Sequence, residues 1–117
     1  MEREALGLLR QVRDAIDNIN TDNSGLTFDA FLDHRVVRQA TERNFEIIGE
    51  AVNRLAHHHP DIAAQISAAS AIVSFRNVII HGYDIVDHLI VWNAIQQYVP
   101  VLKAEVDALI GALESRS

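Results

Sequence analysis

Apolar residues return at steps of three and four along almost the whole of this chain, and that rhythm leaves little but helices for it to fold into. Between residues 2 and 19, Leu6, Leu9, Val12, Ile16 and Ile19 form one stripe with charged residues elsewhere. Each residue of a helix turns by about 100°, so these positions share one side and predict an amphipathic helix. Val37, Ala40, Phe45, Ile48, Val52 and Leu55 repeat the pattern. So do Ile62, Ile66, Ala69, Ile72 and Val73, and again Trp92, Ile95, Val99, Leu102, Val106 and Leu109. The one strand-like run, "NVIIHGY" (77–83), is too short to build a sheet alone. The expected fold is all-α: an up-and-down antiparallel bundle of four main helices with an additional short helical turn.

The residues between the stripes supply the punctuation. "NTDNSG" (20–25) should stop the first helix, and "LTFDAFLDHR" (26–35) reads as a short helical turn with Thr27 as its cap. The second long helix should run to about His57, with Gly49 inside it at a cost of about 1 kcal/mol relative to alanine. A glycine there marks a place where another helix comes close. Pro60 suits the first turn of a third helix, expected over residues 61–79 and rich in small residues. Asp84 or Asp87 should cap the last helix, which Pro100 would bend or divide near residues 96–99. The tail after Leu113 is expected to fray.

Composition narrows the function. The 117 residues make one domain, 1–117, and contain no cysteine, which excludes thiol catalysis and cysteine-ligated metal. The start, "MEREALGLLRQVRD", is not a signal peptide, and no apolar stretch approaches the ~20 residues a bilayer span needs. A cytoplasmic protein with no membrane partner is the expectation. Net charge is −6, with seven arginines against ten acids before residue 60 and three bases against six acids after it. Such a chain holds nucleic acid, if at all, in a short groove, one that two chains could assemble together.

"SFRNVIIHGYDIVD" (74–87) concentrates the chemistry. If the third helix reaches His81, Asn77 and His81 stand four apart on one face, with Arg76 about 100° around and Tyr83 just beyond Gly82. A structural reading pairs Arg76 with Glu50 or Asp87 and lets His81 bond a terminal carbonyl. A chemical reading gives histidine the proton transfer and arginine the developing phosphate charge, with the amide orienting a hydroxyl or the imidazole. That set suits RNA cleavage by attack of the 2′-OH on its own phosphodiester, with no metal or cofactor. His57, His58 and His59 cannot all face one ion from a helix, so a solvated helix end is the better reading for them. His34 and His88 stand isolated.

"RNVIIHGY" (76–83) carries the Arg-x4-His-x-Tyr motif, and with it the chain resembles the HepT-like branch of the HEPN superfamily. "FLDHRVVRQATERNFEIIGEAVNRL" (31–55) is similar to that family's long second helix, and "VDHLIVWNAIQQYVPVLKAEV" (86–106) to its last. The resemblance spans nearly the whole chain. It implies a metal-independent endoribonuclease toxin of a type VII-like toxin–antitoxin pair, cleaving RNA (tRNA among the candidates) in a composite cleft of a homodimer. It also implies Arg76 and His81 as the catalytic pair, Asn77 as a supporting residue, and Tyr83 as the site at which a cognate minimal nucleotidyltransferase antitoxin adds adenylate.

Two departures from the family matter. This chain has "PDIAAQISA" where relatives carry a tryptophan after the proline, and Phe75 stands before Arg76. The first changes packing; the second bears on the shape of the cleft. The rival expectation is a non-catalytic helical interaction or nucleotide-binding module that partners a nucleotidyltransferase.

Overall fold

The computed structural model describes the backbone of residues 2–81 and 87–116, and the side chains of residues 2–76 and 87–116. Seven helices occupy the described residues: α1 (Glu2–Asn23), α2 (Phe28–Asp33), α3 (Arg35–His58), α4 (Pro60–Ala63), α5 (Ala69–His81), α6 (His88–Gln97) and α7 (Val99–Glu114). The expected all-helical bundle is thus found, with no strand among the described residues. Its four long rods are α1, α3, α5 and the pair α6–α7.

Side-chain contacts at both ends show how α1 runs against α3 and α7. Asn23 Nδ2 donates to Thr41 Oγ1 at 3.0 Å, while Glu4 meets His58 Nδ1 at 2.8 Å, so α1 and α3 are antiparallel. Arg116 pairs with Glu2 at 3.2 Å and Arg10 with Glu114 at 2.7 Å, while Lys103 stands 3.8 Å from Asp17, which sets α7 antiparallel to α1. Between them lie Leu9, Val12, Ile16 and Ile19 of α1, Ile48, Val52 and Leu55 of α3, and Val99 and Val106 of α7, all buried. Each such side chain contributes about 1.5–3 kcal/mol by leaving water. The predicted stripes are therefore the core. α2 closes one end, where Phe28 and Phe31 lie with ring centroids 6.1 and 5.3 Å from Trp92 of α6.

The caps follow the chemistry of their residues. Thr27 accepts from the Ala30 amide at the start of α2, and Asp87 accepts from the Leu89 and Ile90 amides at the start of α6. Pro100 sits in the first turn of α7, and the rod divides at Tyr98, as its missing N–H demands.

Two boundaries differ from expectation. α1 continues to Asn23, because that side chain is held both by Ile19 O within the helix and by Thr41 across it; the turn is left to Gly25, at φ 76°. The continuous helix expected over 61–79 is broken: α4 ends at Ala63 and α5 begins at Ala69. Between them, Ile66 drops into the core while the Ser67 amide donates to the Glu105 carboxylate of α7 at 3.2–3.3 Å. An amide taken by a side chain on another helix no longer extends its own.

Candidate functional site

α5 carries the motif, and it lies on α3. Gly49 is where the two helices meet. A Cβ built there would overlap Cβ of Arg76 and come within 2.9 Å of its Cγ and 3.0 Å of its Cδ. The close approach foreseen at this glycine is that of the arginine stem itself. One turn along, Phe75 packs edge-on against Phe45 of α3, with centroids 5.2 Å apart and rings inclined at 83°. Arg76 is half-buried between these contacts.

α5 runs unbroken to His81, so Asn77 and His81 stand one turn apart on the same helix. Their side chains, and all of Tyr83, lie outside the described residues. Of the acids considered for pairing with Arg76, Glu50 is exposed and Asp87 has one carboxylate oxygen engaged at the start of α6.

An apolar cleft of about 550 Å³ opens between α5 and the α6–α7 rod. Ala71, Ile72 and Phe75 form one wall; Ile90, Tyr98 and Val101 stand on the other. These last three are 54, 56 and 51% exposed, although each is a large apolar or aromatic side chain. Phe75, which lines the cleft, is the residue before Arg76 in the chain.

Two further groups, Glu42 of α3 and His88 of α6, interact with each other, and the sequence did not single them out. Glu42 lies seven residues before Gly49 on α3, and its carboxyl is pushed above the ordinary value because burial penalises its charge. His88 and Arg38 partly offset that penalty and Glu46 adds to it. His88 opens α6, with its Nδ1 buried and lacking a hydrogen-bond partner among the described residues. The signal that points to Glu42 is its heptad relation to the glycine at the helix crossing. His34, read as isolated, caps α3 by accepting the Val37 amide at 3.3 Å.

The three consecutive histidines turn to different partners. His57 Nδ1 lies 2.8 Å from Asn53 O and His58 Nδ1 2.8 Å from Glu4, while His59 Nε2 is 3.8 Å from the same Glu4 oxygen. The His58 hydrogen bond holds the Glu4 carboxyl below its usual value. Among the described residues no group of three or more histidines and acids is arranged to hold a metal ion, and no helix is long and apolar enough to cross a membrane.

The comparisons with known proteins agree with one another. The sequence model of the family "Ribonuclease HepT-like" matches residues 4–109. A protein of Thermococcus cleftensis bearing the name "Probable ribonuclease HepT" is 28% identical over 113 residues, covering 93% of this chain and 98% of that protein. One from Caldanaerobacter subterraneus, provisionally named an RNase, is 30% identical over 86 residues, covering 74% of this chain and 76% of its own. Another from Methanocaldococcus jannaschii, also provisionally named an RNase, is 24% identical over 106 residues, covering 91% and 96%. No solved structure matches the chain.

Proposed function

The chain belongs to the HepT-like ribonuclease family, and from that premise we propose that it is a metal-independent endoribonuclease whose chemistry is carried by α5. The observation that carries the reading is the seating of Arg76. A guanidinium whose stem is pressed onto Gly49 is preorganised, and preorganised charge is what stabilises a phosphorane-like transition state. Asn77 and His81 follow on the same unbroken helix.

In this account the substrate's own 2′-OH is the nucleophile. His81 moves the proton, Arg76 balances the charge that develops on the non-bridging oxygens, and Asn77 orients the groups around them. One histidine per chain is short of a base and an acid acting together. Two copies of α5 in a homodimer supply both: one imidazole takes the 2′ proton and the other protonates the 5′-oxygen as the phosphorus–oxygen bond breaks. The cleft between α5 and α6–α7 supports that assembly, because Ile90, Tyr98 and Val101 leave an exposed apolar wall across from α5. Association also suits a chain of charge −6, in which a groove for RNA draws its arginines from both protomers.

Tyr83 is the proposed control point. Transfer of adenylate to its hydroxyl by a cognate minimal nucleotidyltransferase antitoxin puts negative charge and bulk two residues from His81, where RNA has to enter. The whole is then a type VII-like toxin–antitoxin pair.

The test is cleavage of tRNA and of total RNA by the purified, unmodified protein with a chelator present, beside Arg76→Ala and His81→Ala of equal helicity. Cleavage by the parent alone is the expected result. Absence of cleavage with Tyr83 bare and the dimer intact overturns the reading and leaves a binding module.

A further inference from the structure

Two contacts fix how α5 lies on α3. The stem of Arg76 occupies the space over Gly49. The ring of Phe75 meets that of Phe45 edge-on, with centroids 5.2 Å apart and planes inclined at 83°. Phe45 and Gly49 stand four apart on α3, one turn along the same side of that helix. Phe75 and Arg76 are consecutive on α5, so their side chains leave its axis about 100° apart.

That arrangement has a mechanical effect. A helix resting on one point can roll about its own axis. Resting on two flanking points, it cannot roll either way without opening one of them. The glycine sets how close α5 comes, and the aromatic pair sets its rotation. An edge-on ring contact suits that task because it is directional: the positive edge of one ring meets the negative face of the other, and a tilt weakens it. Phe45 is buried in the core, where close packing holds its ring in place, and Phe75 is half-buried.

We propose that Phe45 is a positioning residue of the α5 site, acting through Phe75 to hold the rotation of α5 and with it the aim of the Arg76 guanidinium. The proposal rests on the ribonuclease reading and deepens it. Side chains carry a helix out to a radius of about 5–6 Å, where a roll of only about 10° displaces a group by about 1 Å. A misplacement of about 1 Å at a reacting centre can cost on the order of a hundredfold in rate. Phe45→Leu keeps the apolar character of the position and removes the ring.

Phe45→Leu and Phe75→Tyr in the full chain test this, on an oligoribonucleotide that the parent cleaves, well below each melting temperature and with the same association state by sedimentation. Phe45→Leu is expected to lose about tenfold or more in kcat with KM unchanged to within about twofold. Phe75→Tyr keeps the ring, its hydroxyl has the open cleft to point into, and its kcat should stay at the parent's. A parental kcat in Phe45→Leu, a loss confined to KM, or a Phe75→Tyr as slow as Phe45→Leu overturns the proposal.

A second readout needs no activity: the heteronuclear Overhauser effect at Arg76 Nε, assigned by its absence in Arg76→Lys, which reports how firmly the guanidinium is held. It is expected to fall in Phe45→Leu, while that of Arg10, paired with Glu114 between α1 and α7, stays the same. An Arg76 value equal to the parent's overturns the proposal. A fall in a protein that cleaves no RNA overturns the ribonuclease reading and leaves the positioning standing.

Discussion

Arg76 occupies the space that a side chain on residue 49 would fill: its Cγ and Cδ lie 2.9 and 3.0 Å from where the Cβ of an alanine would stand, and its own Cβ is closer still. Carbon atoms pack at about 3.5–4.0 Å. Because the obstructing atoms are the root of the arginine and not its flexible tip, Gly49→Ala has to push α5 away from α3. Overpacking costs about 1–3 kcal/mol, against roughly 1 kcal/mol gained from helix propensity. The expected outcome is a small net loss of stability in urea with a loss of about tenfold or more in RNA cleavage, since the guanidinium moves with its helix.

The exposed wall of the cleft gives a second prediction. Val101→Glu and Tyr98→Arg alter side chains that are half or more exposed, so the fold of one chain should keep its helicity and melting temperature. If two chains meet there, each substitution raises the dimer dissociation constant by about thirtyfold or more, the weight of one interface anchor. Sedimentation velocity at micromolar concentration reads this directly, and cleavage should fall in step with the dimer.

The start of α6 depends on one carboxylate. Asp87 accepts two amide hydrogen bonds there, and Asp87→Ala should cost about 1 kcal/mol in chemical denaturation, the usual worth of such a cap. Asp87→Asn should recover most of it.

Glu4 links acidity to the packing of α1 on α3. Its carboxyl is held low, chiefly by the hydrogen bond with His58, so the folded protein binds that proton less readily than the unfolded chain. The stabilisation is present above the unfolded value and is lost as pH falls through the lower folded one. Glu4→Gln should lower the urea midpoint at neutral pH and flatten its fall on the acid side, so that parent and variant converge as pH drops. Glu42, shifted the other way, favours the folded state while protonated and loses that advantage as pH rises, so Glu42→Gln should be no less stable than the parent at neutral pH.

Helical periodicity was enough to assign α1, α3 and the α6–α7 rod, because each buries a stripe along its own length. Local chemistry was equally legible: Thr27, Asp87 and Pro100 act on backbone groups within a few residues of themselves. What spacing could not reveal depends on partners distant in sequence. The break before α5 is made by Glu105, 38 residues from Ser67, and the extension of α1 by Thr41, 18 residues from Asn23. The same holds for the site. Arg76 and the glycine beneath it were visible as a motif and an anomaly. The interaction of Glu42 with His88 was not, since the two are distant in sequence and meet only in the fold.

The claim that two chains build one site is tested most directly by a mixed dimer of the parent chain with His81→Ala, co-expressed with different tags and purified through both. The His81→Ala homodimer should be inactive. The mixed dimer retains both Arg76 side chains but only one His81 imidazole, and the account predicts that it loses nearly all RNA cleavage in the presence of chelator, because base and acid come from different chains. A mixed dimer with half the cleavage rate of the parent would contradict a cleft shared across the two-fold axis.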